Sequence, residues 1–476
     1  MLNDRLLRAW LRCRRKAWLD LHGPRAERHW HPQRAIQLAE QHRLLDRFAR
    51  HHGGLARAGV GLDGLKTAQP LVRQLRLRSG GLPLLEGIPS LLLREARPSA
   101  IGAHGYAPVI VRLGRRITRA HRLGLALWSD LLATHLGRPA PTGWVVGRDR
   151  PAEPIALDTP RRQLAGVLEQ LEGDLAKDSP PALIHDRRLC RICSWKRSCD
   201  GAAAAAGDLS EVSGIGGKRR ELLQQLLIHN VEHLAAADPD QLQQELDALG
   251  EQNRGLAGQL VLQARTQLGH RPVRRPGGGA GPLLPELNGA AGVLLYDIES
   301  DPDARENFLH GFLVLPRGST DFAMPDTGRY HPVLALKEHG EAQAWQRLQR
   351  LLRRFPDWPL LHYGQTERVE LLGLARRQQA GPAELENLRQ RLVDLHERLH
   401  SRWVMPLNGY GLKAIAAWIG FRWRQPLAEG ARCVLWWRQW RARRRRHDLQ
   451  RILDYNADDC RATWVVARWL RQQDTA

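Results

Sequence analysis

The chain has 476 residues, room for about three domains, and carries 72 Lys and Arg against 50 Asp and Glu, a formal net charge of +22. Its 43% apolar content is that of a folded protein and well above that of a disordered one. No apolar run approaches the roughly 18 residues of a membrane span, and charges interrupt the N-terminal stretch where a signal peptide would be smooth, so the expectation is a cytoplasmic, multidomain α/β protein with no membrane partner. The charge is uneven: residues 1–200 hold 35 Lys and Arg against 18 Asp and Glu. Nearly all of these cations are Arg, whose fork of donors matches phosphate, so the expected partner is a polyanion and nucleic acid above all.

The first expected unit is 1–203. Six cysteines in so long a chain are too few for a disulfide framework. Cys190, Cys193 and Cys199 cluster in an Arg-rich loop, while Cys13 stands near the other end of the unit in WLRCRRKAW. Three near thiols and one distant one suit a tetrahedral sulfur site, either a [4Fe–4S] cluster or Zn²⁺; Cys433 and Cys460 lie outside this pattern and read as packed thiols. The spacing resembles the iron–sulfur staple of RecB- and Cas4-type nucleases, in which one N-terminal cysteine joins three C-terminal ones. Those enzymes, of PD-(D/E)XK fold, cut DNA with a P-D on one strand, a D-x-K on the next and a Q-x3-Y on the following helix. At the corresponding positions this chain has Ser90, Ile110 with Arg112, and Gly124 with Trp128. The resemblance therefore implies a degenerate nuclease fold without metal chemistry, whose old cleft, Arg112 included, holds a phosphate backbone.

Ala202 to Gly207 and residues 269–286 read as linkers, the first by its alanine run and the second by Pro, Gly and Arg without hydrophobic period. Between them, 207–268 is mostly helical by pattern. It contains VSGIGGKRREL, in which Gly214 and Gly216 flank Ile215 and lead into a helix opening with Lys218, Arg219 and Arg220. A tight glycine turn at a helix N-terminus can receive phosphate, and the segment resembles the helix-hairpin-helix module that grips DNA backbone. A plain glycine-rich helix connection is the other reading.

In the last expected unit, 286–476, GVLLYDIES at 292–300 is a β-favouring run ending in Asp297 and Glu299. Alternation along a strand puts these carboxylates on one face, where they repel unless a hard cation such as Mg²⁺ lies between them. Phe308 to Leu315 reads as the partner strand of a hairpin. LLHYGQTERVEL at 360–371 predicts a strand that breaks at Gly364 and enters a helix with Glu367 in its first turn. In ILDYNADDCRATW at 452–464, Tyr455 precedes Asp459 by four residues and shares its helix face. Asp458 beside it reads as solvated. Finally RCVLWWRQWRARRRR at 432–446 interleaves three tryptophans with seven arginines; the indoles either stack on unpaired bases or form the core face of a helix.

D-x-E on a first strand, an acid at a helix start after a central strand, and Y-x3-D on a late helix resemble the DnaQ-like 3′–5′ exonucleases of RNase H-like fold. The stretch 393–464, with VDLHERL and NGYGLKAIAAWIGF, resembles the C-terminal domain of a bacterial family of RecB-type nucleases. The resemblance implies a two-metal phosphodiesterase using Mg²⁺ or Mn²⁺, with Asp297, Glu299, Glu367 and Asp459 as ligands and Tyr455 orienting the attacking water. Glu367 stands where the family has aspartate, and Asp394 is the rival fourth ligand. DNA is the expected substrate, with RNA open. The alternative function is a non-catalytic nucleic-acid-binding scaffold, one that serves a helicase supplied in trans.

Overall fold

The computed structural model describes residues 1–53, 57–58, 62–81, 83–148, 151–250, 253–279, 281–318, 321–322, 325–336, 340–427 and 429–474. By its contacts the chain divides into two units, Met1–Ala202 and Ala203–Ala476, where three were expected. In the first unit a six-stranded mixed sheet runs through Arg57–Ala58, Leu71–Arg73, Leu91–Glu95, Gly105–Val111, Thr142–Val146 and Glu153–Ala156, neighbours in that order. The fully buried strand Gly105–Val111 lies inside this sheet and packs on the helix Arg119–Leu136. Ser90 immediately precedes the strand Leu91–Glu95, whereas Ile110 and Trp128 belong to one apolar cluster with Leu125, Val145 and Leu157. A position filled by an apolar core cannot hold Mg²⁺.

Two sequence expectations fail here. The boundary between the two units does fall within the expected linker Ala202–Gly207, but the run is not irregular, because its alanines, the best helix formers, continue the helix Lys196–Ala205. Arg112 is not presented to a ligand: it is buried, with Nη2 on Glu153 Oε1 at 3.0 Å and Nη1 on the carbonyls of Gly114 and Arg115 at 2.9 Å each. A buried guanidinium bonded from within through both terminal nitrogens, with only Nε left without a partner, is a structural cation.

The second unit begins with the helices α1 (Gly217–Gln225), α2 (Val231–Ala236), α3 (Pro239–Ala248) and α4 (Ala257–Gly269), closed on their own core of Leu209, Leu223, Leu234 and Leu260. This helical segment is bonded to the rest of the unit. Gln263 Nε2 donates to the Met405 carbonyl at 2.8 Å, Tyr410 Oη donates to Gln263 Oε1 at 2.9 Å, and Val273–Arg274 pairs with Trp403–Val404. Residues 269–279 and 281–286 are therefore tied down rather than free, with Leu283 and Leu284 buried.

The main sheet of this unit is formed by β1 (Gly292–Asp301), β2 (Glu306–Pro316), β3 (Arg329–Leu334), β4 (Leu360–His362) and β5 (Leu392–Asp394), in the order β3-β2-β1-β4-β5. β1, β2 and β3 are antiparallel, and β4 and β5 run parallel to β1. β1 reads as a continuous apolar run because both its faces are covered. Leu294, Tyr296 and Ile298 face a layer holding α5 (Glu341–Arg354), α6 (Gln365–Arg377) and α7 (Pro382–Arg391). Val293 and Leu295 face the other layer, with α8 (Leu395–Arg402), α9 (Leu412–Ile419) and α11 (Arg446–Asp474), the last carrying Cys460 and Trp464. α10 (Gly430–Arg443) packs beside α11.

Candidate active site

Alternation along β1 decides what meets what. Asp297 and Glu299 continue the face of Val293 and Leu295, so they turn toward α11. On α11 the buried stripe Ile452, Tyr455, Asn456, Asp459, Cys460, Thr463 and Trp464 repeats at helical spacing, and its polar members lie opposite those two acids. Asp297, Glu299 and Asp459 each offer an oxygen within 4.8 Å of the others, the one such group of three ligand atoms among the described residues. A register shift between Glu299 and Ser300 bends the strand as it leaves the site.

Neighbouring side chains fix these carboxylates. Asn456 Nδ2 donates to Asp297 Oδ2 at 2.6 Å, and its Oδ1 accepts from the Tyr330 hydroxyl at 2.7 Å. Trp423 Nε1 donates to Asp459 Oδ1 at 2.7 Å, and the Tyr455 hydroxyl also hydrogen-bonds Asp459. Lys413, on the first turn of α9, places its ammonium 4.6 Å from the centre of the Tyr455 ring and close enough to offset charge on Glu299 and Asp459.

Glu367 lies at the same end of the sheet but outside the tight trio. Gly364, with φ of 103°, makes the turn from β4 into α6, a conformation that favours glycine. Its N–H donates to Asp394 Oδ1 at 2.8 Å and its carbonyl meets His362 Nδ1 at 2.8 Å. Asp394 Oδ1 also accepts from the backbone of His396 at 2.9 Å as the N-cap of α8, so Asp394 holds the fold while Glu367 keeps a buried oxygen, Oε2, with no hydrogen-bond partner.

The electrostatics is that of several buried acids sharing one nearby cation, Lys413. Burial, reinforced first by the charge of Asp459 and then by that of Glu367, raises Asp297 and Glu299 well above the usual carboxylate range. Burial raises Asp459 to about 6 against the pull of Lys413, Trp423 and Tyr455, and raises Glu367 to about 8 with help from Asp394 and Asp459. Four oxygen donors, one orphaned, with too little positive charge beside them, fit a hard divalent cation. Tyr455, raised by burial and then by Asp459, remains a protonated donor.

Asn456, Lys413, Trp423 and Tyr330 are site residues that the motifs do not name; only Asn456, next to Tyr455 on the stripe, had a positional signal. Asp458, expected in solvent, is buried and bound by Arg424 and Arg461. In the helical segment Gly214 has φ of 90°, Gly216 caps α1 without side-chain help, and Lys218 is exposed. Arg219 turns back, its Nη1 on the Gly214 carbonyl at 2.6 Å, and buried Arg220 is paired with Asp208. The tryptophans of α10 are core: Trp436, Trp437 and Trp440 are buried, and Trp437 stacks on Phe308 at 4.6 Å.

Residues 294–471 match the family model described as the RNase_H superfamily. The match starts within β1 and ends in α11, so it spans all four acids and Tyr455; it supports a C-terminal RNase H-like domain and suggests a nuclease-type, nucleic-acid-related function. Comparison with curated proteins finds no match. No helix among the described residues is long and apolar enough to cross a membrane.

Proposed function

We propose that the second unit is a metal-dependent phosphodiesterase that removes nucleotides from a 3′ end, with DNA as substrate. The observation that carries this reading is the convergence of Asp297, Glu299 and Asp459 within 4.8 Å, with the unpartnered Oε2 of Glu367 nearby. A pair of Mg²⁺ or Mn²⁺ ions held there would lower the pKa of the attacking water and neutralise charge on the leaving oxygen. The chain's own part is positional. Asn456 and Trp423 hold the carboxylates in one orientation, Tyr455 offers a hydroxyl beside Asp459 to align the water, and Lys413 places a cation where phosphate charge collects.

The first unit then serves as grip. Its four thiols line one cavity together with Arg15 and Arg187, all are free of disulfides, and Cys190 lies near the other three, its thiol pushed up to about 11 chiefly by burial. Four soft donors beside cations fit a sulfur-ligated metal group. The cysteine spacing makes a [4Fe–4S] cluster the preferred group, with Zn²⁺ the alternative. The turn Gly214 to Lys218, with Gly214, Gly216 and Lys218 exposed, would add a backbone-phosphate contact of helix-hairpin-helix type.

The test is a time course on 3′- and 5′-labelled DNA and RNA, single- and double-stranded, with Mg²⁺ or Mn²⁺. Stepwise shortening from the 3′ end that is abolished by Asp297→Ala and by Asp459→Ala is the expected result. Salt-sensitive binding without any metal-dependent product would leave a scaffold in place of an enzyme.

A further inference from the structure

The arginines around the α10–α11 turn fall into two groups. Arg438 donates twice to Asp301 at 2.7 Å and once to Asp303 at 3.0 Å, and Arg441 reaches Glu306 at 2.9 Å; these pairs brace α10 against the β1–β2 hairpin. Arg443, Arg444, Arg445 and Arg446, followed by His447, are exposed. Among the described residues none of these four arginines makes an ion pair with a carboxylate, and Arg444 rests its guanidinium on the Trp440 ring at 4.5 Å.

Local preferences argue against this sequence on structural grounds alone. Arg444 sits at φ of 53°, a left-handed position that costs a side-chain-bearing residue energy and normally goes to Gly or Asn. Arg446 opens the 29-residue α11, at the end where the helix dipole disfavours a cation. Four adjacent cations also repel one another. Local choices that work against the fold mark a functional surface. The stacked indoles beneath, Trp437 on Trp440 at 5.0 Å, give the turn a rigid base, and being buried they are not available to bases.

We propose that Arg443, Arg444, Arg445 and Arg446 form a spur that binds the sugar-phosphate backbone of the nucleic-acid strand at a distance from the cutting site. The spur begins the same helix that carries Asp459. Thirteen residues at about 1.5 Å each set the two about 20 Å apart, the length of about six stacked nucleotides at about 3.4 Å per phosphate. Guanidinium contacts to phosphate read no sequence, so the grip is sequence-independent and depends on strand length. The purpose of the spur rests on the nuclease reading; its measurement does not.

The test uses the full chain with Arg443→Ala, Arg445→Ala and Arg446→Ala combined, Arg444 being kept for its packing on Trp440, and unchanged circular dichroism as the check on folding. Binding of a fluorescent 20-nucleotide single strand is measured in Ca²⁺ over a salt series, and cleavage of 4- and 20-nucleotide strands in Mn²⁺. The expected result is about tenfold or more weaker binding of the long strand and a salt slope shallower by about 2, three phosphates at about 0.7 each, with cutting of the 4-nucleotide strand unchanged. An equal affinity and slope for variant and wild type on the long strand overturns the spur. So does polyglutamate binding to the wild type as tightly as the strand, which would make the partner an acidic protein. A wild type that binds with the expected slope but never cuts supports the spur and removes the nuclease reading.

Discussion

Asn456 tethers Asp297: its Nδ2 donates to Asp297 Oδ2 at 2.6 Å while its Oδ1 accepts from Tyr330 at 2.7 Å, so one amide of α11 ties together β1 and β3. It fits because β2 has glycine at 311, where a Cβ would lie 1.6 Å from Asn456 Oδ1. Asn456→Leu keeps the helix and removes the tether, and should lower Mn²⁺ affinity or cutting by about 10–100-fold, the usual loss for a residue that orients a metal ligand. Gly311→Ala should do the same from the opposite side by displacing the amide. Titration calorimetry with Mn²⁺ on both variants measures this.

Lys413 offsets charge on Glu299 and on Asp459. In Lys413→Met the acids lose that neighbouring positive charge. Mn²⁺ should bind more tightly, since a repelling ammonium is gone, while turnover should fall by about 10²-fold if the ammonium is a preorganised stabiliser of phosphate charge. Single-turnover cleavage at saturating Mn²⁺ separates the two effects; turnover that survives intact assigns Lys413 to metal-free charge balance alone.

Glu367 gives the pH dependence a sign. Its carboxyl is raised to about 8 by burial from the ordinary value of 4.5, so the folded metal-free protein holds a proton there that the unfolded chain gives up. That contribution to stability is complete below the unfolded pKa and is lost as pH rises through about 8. Metal-free protein should therefore lose thermal stability between about pH 5 and 8, Glu367→Gln should lessen the loss, and Mn²⁺ should raise the unfolding midpoint more near the top of that window than near its middle. Calorimetric scans with and without metal check all three.

The thiol cavity predicts a colour. Protein purified without oxygen should be brown with broad visible absorbance, and Cys190→Ser should abolish it and lower the thermal stability of the first unit. Colourless protein with one equivalent of zinc by elemental analysis would reverse the choice of metal.

The candidate catalytic acids are legible in the sequence because each sits in a local pattern with a fixed geometric consequence. Asp297 and Glu299 share a face by strand alternation, Tyr455 and Asp459 by helix spacing, and Glu367 follows a glycine turn. Lys413 and Trp423 are not legible, because they reach the acids from a separate helix and its following loop, a packing that no sequence period encodes. Arg112 fails for a related reason. Its charge is visible in sequence, but the pairing with Glu153 across 41 positions that makes it structural is not. The alanine run is ambiguous because composition alone does not separate a linker from the last turns of a helix.

Anomalous diffraction from crystals grown with Mn²⁺ reads the metal site without relying on any activity. A peak within bonding distance of Asp297, Glu299 and Asp459 together, lost in Asp297→Ala, is the expected result. A chain that cuts nucleic acid in Mn²⁺ while these three carboxylates bind no ion would refute the assignment of the site.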